Sequence, residues 1–310
     1  AGRLQGVWPG GPGASDHRVR WEATRLQVRM SGTPLGLLLE LDQPVDLAIS
    51  AQGHLNAQAG ALRLTPQWTG APSHTFATQP ARLEWEGLRW ANGHLDSRGR
   101  IAPVSLSWIN AWMASPDRPD GPLAEAGFSG DLQFEGVWDV SLPLSGSGSG
   151  TAPARARLDG RHLGGDLTYL SGSGTELQRT PVGLEALQLG IQWQGQQATA
   201  QALLATSQFG RLQGRLTTQL TPPGAAGEGW QWRPDAPLEG ELQARLTRMA
   251  PLSAFAPPGW RIDGEGQADA RLYGTRAQPE WQGRIDLRRL ALRAALDGID
   301  FSDGELAARL

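Results

Sequence analysis

The chain has 310 residues, a net charge of -3 and a pI near 6.0, so it lacks the basic footprint that neutralising nucleic-acid phosphates demands. With 39% hydrophobic and 19% charged residues and a mean hydropathy of -0.36, it is too apolar and too patterned for disorder. No run approaches the ~20 apolar residues that span a bilayer, and the lack of Cys excludes disulfides and thiolate metal sites.

Zero Cys is compatible with an oxidising compartment. The chain contains arginine but no lysine, which reads as coding bias in a GC-rich bacterial genome. Nothing near Ala1 resembles a basic n-region followed by an apolar h-region, so the sequence is expected to be a piece of a longer protein.

In chain order, one strand type recurs: glycine, an alternating run, glycine. It appears as GRLQG at Gly2 to Gly6 and as an alternation of Val19, Trp21 and Ala23 against Arg18, Arg20 and Glu22. Leu83 and Trp85 alternate with Arg82, Glu84 and Glu86, and Asn92-Gly93 then offers the positive φ of a tight hairpin. Ser105 to Ser115 has helical spacing and predicts one or two turns before the loop at Ser115 to Pro122.

GDLQFEG at Gly130 to Gly136 repeats the strand unit, followed by a SerGly-rich loop at Ser145 to Gly150 and an expected turn at Asp159-Gly160. After a second loop at Ser171 to Gly174, Leu187, Leu189, Ile191 and Trp193 alternate with Gln188, Gln192 and Gln194. Leu212, Leu216 and Leu220 share parity against Arg211, Arg215 and Gln219, and Thr221 to Gly229 forms another loop.

GELQARL at Gly240 to Leu246 leads into a second short helical pattern, Leu246 to Phe255. In Gly264 to Tyr273, Gly266, Ala268, Ala270 and Leu272 oppose Gln267, Asp269, Arg271 and Tyr273. GRIDLRRL changes phase between Ile285/Leu287 and Leu290/Leu292, which predicts a bulge. Turns are expected at Asp263-Gly264, Asp297-Gly298 and Asp303-Gly304.

The expectation is therefore all-β: an elongated, curled, antiparallel-rich sheet with one dry face and one or two short helices. It is expected as one continuous repetitive region over 1–310, with sub-segments 1–114, 123–220 and 230–310 divided by Gly/Pro/Ser-rich loops. About 20 strands at ~4.8 Å would extend on the order of 100 Å.

Signatures of chemistry are sparse. His17, His54, His74, His94 and His162 form no HxxH pair, and Asp297, Asp300 and Asp303 do not match a calcium loop. There is no phosphate loop and no nucleophile elbow. The expectation is no enzyme, no catalytic residue, no metal and no cofactor. Thirteen Trp residues admit two uses, a platform for sugars or lipids and a filling or sealing of the sheet.

An ordered set of motifs runs through Leu238 to Leu310: an alternating strand, L-x-G-T at Leu272, Gly274 and Thr275, P-x-x-x-G at Pro279 and Gly283, and a close at Gly298, Ile299, Phe301, Asp303, Gly304 and Leu306. Together with Leu83 to Ile109, Gly130 to Val140, GDLTYL from Gly165 and VGLEALQLGIQW from Val182, it resembles the TamB family of AsmA-like proteins from about Leu83 onward.

The resemblance implies a periplasmic protein tethered to the inner membrane outside this sequence. Its sheet would curl into an open apolar groove, taco-like in section. The implied role is phospholipid transport between membranes, with TamA or a similar outer-membrane barrel as partner. The lining is expected from Leu212, Leu216, Leu220, Leu242, Leu246, Leu272, Ile285, Leu287, Leu306 and Leu310. Two other readings stand beside it: a scaffold for outer-membrane protein assembly, and a carbohydrate-binding β-helix or lectin.

Overall fold

The computed structural model describes residues 4–7, 16–21, 26–29, 35–50, 52–68, 78–114, 121–125, 128–143, 153–171, 178–222, 229–250, 260–294 and 298–309. Strands dominate these residues. The first seven are β1 (Leu4–Val7), β2 (Asp16–Trp21), β3 (Leu26–Arg29), β4 (Leu35–Leu41), β5 (Val45–Ser50), β6 (Leu55–Ala57) and β7 (Gly60–Trp68). A long hairpin, β8 (Ala81–Ala91) and β9 (His94–Ser105), runs into helices α1 (Leu106–Trp112) and α2 (Pro122–Glu125). Then come β10 (Phe128–Gly130), β11 (Gln133–Pro143), β12 (Arg155–Gly164), β13 (Leu167–Ser171) and β14 (Gln178–Pro181). The last are β15 (Leu184–Gln194), β16 (Gln197–Thr206), β17 (Gly210–Gln219), β18 (Leu238–Leu246), β19 (Trp260–Gly274), β20 (Pro279–Ala294) and β21 (Ile299–Arg309).

One antiparallel ladder, open rather than closed into a barrel, joins β8, β9, β11, β12 and then β15 through β21 in turn. At β8 it divides. β7, β4 and β3 continue from the Ala81 to Trp85 half of that strand, whereas β6, β5, β2 and β1 continue from Leu88 to Trp90. Because of this fork the row from β3 to β21 holds fourteen strands, or about 60 Å, instead of the ~100 Å expected from end-to-end stacking.

Turn chemistry explains part of the ladder. Asn92 and Gly93, with φ of 51° and 71°, close the two-residue link between β8 and β9. Three other Asp-Gly pairs correct the expectation of turns. Asp159-Gly160 lies within the regular register of β12. Gly264 (φ 131°) and Asp303 (φ 58°) sit inside β19 and β21 at register shifts against β20, where Arg289 also has φ 49°. A bulge needs the same tolerance of positive φ as a turn. The bulge expected from the phase change after Leu287 is present.

The first helical pattern forms α1, two turns as expected. Of the second only Leu246 to Ala250 is described: Leu246 ends β18, the Met249 N–H bonds to the Gly264 carbonyl at 2.8 Å, extending the ladder toward the β19 bulge, and Ala250 has 3-10 conformation. Residues 251–255 of that pattern, the loop at Ser145 to Gly150 and most of the other loops lie outside the described residues.

Seven residues cannot hold a helix by propensity alone, so α1 depends on packing. Its Trp108 is wholly buried against Leu35, Leu64, Ala81 and Val104, with Trp112 edge-on at 6.1 Å. The helix thus covers one rim of the sheet over β4, β7, β8 and β9. At the same rim a small sheet of β10, β13 and β14 is pinned by Asp166, whose carboxylate accepts the N–H groups of Gly183 at 2.9 Å and Leu184 at 2.8 Å.

Replacing Trp108 with Ala should destabilise the protein by about 3–5 kcal/mol in urea unfolding, the range for emptying a large aromatic site. A loss below about 1 kcal/mol would mean that the helix does not anchor the sheet.

Candidate functional site

In an antiparallel ladder, directly paired residues point to the same side. Following one pairing from strand to strand therefore maps a face. One row runs Trp138, Leu158, Ile191, Ala200, Leu216, Gly240, Leu272, Trp281. Its neighbour on the same side runs Gly136, Gly160, Leu189, Ala202, Gly214, Leu242, Ala270, Gly283. The result is a continuous apolar face from β11 to β20.

Glycine on this face makes room for bulky neighbours. A Cβ on Gly99 would land on the Trp138 ring, and one on Gly60 would land on Trp85. At Gly266 an added Cβ would come within 2.9 Å of Leu287 Cδ2. Gly136 and Gly160 floor an almost wholly apolar hollow of about 230 Å³, walled by Ile101, Trp138, Leu158, Leu189 and Ile191.

Where α1 covers the face, the side chains are buried; from β12 onward its middle rows are open among the described residues. Leu189 is 51% exposed, Trp281 49%, Leu306 45% and Leu212 39%. Apolar side chains left exposed together over several strands make this face the candidate binding surface.

Eight of the ten residues expected to line a groove fall on this face within strands: Leu212, Leu216, Leu242, Leu246, Leu272, Ile285, Leu287 and Leu306. Leu220 sits just past β17 with its N–H on the Gln196 carbonyl. Leu310 lies outside the described residues. The face also includes Leu158, Ile191, Leu204 and Trp281, none of them among those ten, although the alternation of Leu187, Leu189, Ile191 and Trp193 was read from sequence. Leu158 was masked by the Asp159-Gly160 signal, whereas the parity of Trp281 with Gly283 and Ile285 was readable.

A strap borders the face at the rim opposite α1. Trp230 packs edge-on against Trp193 at 4.5 Å and donates to the Pro143 carbonyl at 2.8 Å, spanning from the β17–β18 link back to β11. Trp232 donates to Thr218 Oγ1 at 3.0 Å, and the Thr218 hydroxyl donates to the Pro237 carbonyl at 2.8 Å. Trp108 in the core and these rim residues correspond to the filling and sealing use of tryptophan.

The opposite face carries the charge. Arg98 bridges Glu86 at 3.5 Å and Asp139 at 2.7 Å, Arg161 pairs with Glu135 at 2.5 Å, and Arg284 with Asp286 at 2.7 Å. The hydrogen bond from Arg100 holds the Glu84 carboxyl below its usual range, and that from Arg284 does the same for Asp286. A depression of about 490 Å³ opens here, centred on Gly190 and ringed by Arg161, Gln188, Gln201 and Arg215. It is larger than the apolar hollow but is a gap between long solvated side chains, so the apolar face is the better candidate.

Among the described residues no cluster of three or more potential metal ligands occurs. Ser141 donates to Asp96 at 2.6 Å and lies 2.9 Å from His94 Nε2, and Asp96 approaches that same nitrogen at 3.5 Å. The carboxylate does not orient the imidazole through its second nitrogen, as a nucleophilic triad requires. No helix is long and apolar enough to cross a membrane among the described residues. No family model matches the chain, and neither a curated protein nor a solved structure matches it at a significant level.

Because the Glu84 pKa is lowered on folding, its contribution to stability is present above the usual Glu range and lost as pH falls through the folded value. Glu84→Gln should therefore be less stable than the parent at neutral pH, with the gap narrowing in parallel denaturant titrations as pH falls below the ordinary Glu range. A gap independent of pH would contradict the pairing with Arg100.

Proposed function

We propose that the chain is a segment of a TamB-like conduit, in which the uncovered apolar face shields phospholipid acyl chains passing between the inner and outer membranes. The observation that carries this reading is the continuity of the apolar rows across β12 to β21, backed on the other side by charge. Keeping acyl chains from water is worth about 0.8 kcal/mol per methylene, so an unbroken apolar path lowers the barrier to movement without covalent chemistry. No catalytic residue or cofactor is needed. Within this proposal the location is the periplasm, with an inner-membrane tether and an outer-membrane barrel such as TamA beyond the sequence.

A second reading is a scaffold for outer-membrane protein assembly. It is favoured by β21, an eleven-residue strand paired on one side with β20 and on its other side with nothing among the described residues. Such an edge can accept an extended strand.

A photoreactive residue at Leu216 or Leu272 should capture phospholipid in cells, and one at Arg215 or Arg271 should not. Capture confined to the arginine positions would reverse the assignment of the faces. Capture of unfolded barrel proteins without lipid would favour the scaffold. Leu242→Arg should reduce lipid retained on purification by about 100-fold, given about 2.5–3.5 kcal/mol for a guanidinium among acyl chains, with the strand spectrum in circular dichroism unchanged.

A further inference from the structure

The strap at the rim is built to hold one cation at the mouth of the apolar face. Thr218, on that face, fixes the Trp232 indole through its hydroxyl. Trp232 is 41% exposed, and the Thr218 that holds it stands one row beyond the row of Leu216, Leu272 and Trp281. Two residues of strand separate the rows, or about 7 Å. Above the indole lies the Arg276 guanidinium, 4.9 Å from the ring centroid, and its Nη1 donates to the Trp232 carbonyl.

The backbone holds this arrangement from both sides. The Arg276 N–H bonds to the Ala236 carbonyl at 3.0 Å and the Ala277 N–H to the Pro234 carbonyl at 2.8 Å, docking the β19–β20 turn onto the strap. Charge is left over. The other strap cation, Arg233, is paired with Asp235 at 3.0 Å, whereas Arg276 has no carboxylate partner among the described residues. Nearby Glu239 and Glu280 belong to the charged side of the sheet by register, opposite Thr217 and Tyr273.

An amphiphile whose chain runs with the strand over Leu212 and Leu216 has its head at this rim, where Thr218 follows on the same face. A planar guanidinium stacked on tryptophan keeps its remaining N–H groups free for oxygen and loses little freedom on binding. We propose that Arg276, seated on Trp232, is the headgroup site of the groove and selects amphiphiles with an anionic phosphate head. This rests on the reading of the apolar face as an acyl-chain groove. The phosphate is that of the amphiphile, not a free anion, because only the tethered chain brings it to the rim.

The test uses the purified chain and two probes with the same alkyl tail, dodecyl phosphate and dodecyl maltoside, each below its micelle concentration, in calorimetric titrations. The parent should bind dodecyl phosphate more tightly than dodecyl maltoside. Arg276→Gln should weaken the phosphate probe by about threefold to tenfold and leave the maltoside probe unchanged, the span between an exposed ion pair and a charge-assisted hydrogen bond. Arg276→Lys should recover part of the difference, and inorganic phosphate at equal concentration should not compete. Equal binding of both probes, unaltered by Arg276→Gln, would overturn the headgroup site while leaving the groove. Binding of neither probe would overturn the groove and the site with it.

Discussion

Everything in this molecule depends on the parity of one antiparallel ladder. Paired residues share a side, so a slip of one position on any strand would turn its apolar set into the charged face. The ladder keeps that parity over strands whose sequences change phase. On β8 the apolar residues pass from Leu83 and Trp85 to Leu88 and Trp90, and the register against β9 shifts between Trp85 and Gly87 to absorb the change. On β20 they pass from Ile285 and Leu287 to Leu290 and Leu292, and β21 answers with its own shift from Leu306 to Phe301. Each bulge places a phase error of the sequence where it restores the common side.

Small residues and bulges work together. Where Gly99 and Gly60 admit a neighbouring indole, the apolar face is paved by side chains lying across strands instead of standing upright. The same face is closed at one rim by α1 and bordered at the other by the Trp230 and Trp232 strap. The remaining open stretch lies between them along β12 to β21, so the geometry of the candidate site is set by what covers the ends of the strands.

The charged side serves a different purpose. Its Arg–Asp and Arg–Glu pairs are mostly exposed, so solvent screening leaves each with little weight in stability. Their consequence is directional: they make the outer face costly to dehydrate, which leaves the apolar side as the surface available to a partner. Arg276 differs because its guanidinium stands at the rim of the apolar side and is held by an aromatic ring and a carbonyl, without a carboxylate among the described residues.

Alternation of period two is a local property, so the strand type, the two faces of β17 to β20 and the placement of residues such as Leu216 and Leu272 were legible before any fold was known. Helix α1 was legible for the same reason. The Asp-Gly pairs were ambiguous, because turns and bulges ask for the same backbone freedom, and only pairing partners distinguish them. The fork at β8, the strap from Trp230 to Pro143 and the stacking of Arg276 on Trp232 join residues far apart in the chain and leave no periodic trace. By itself the sequence determined which side of each strand is dry, since that follows from successive side chains. The tertiary structure alone decided how long the sheet is, where its apolar face is covered and what stands at its mouth, since those follow from which strands and loops meet in space.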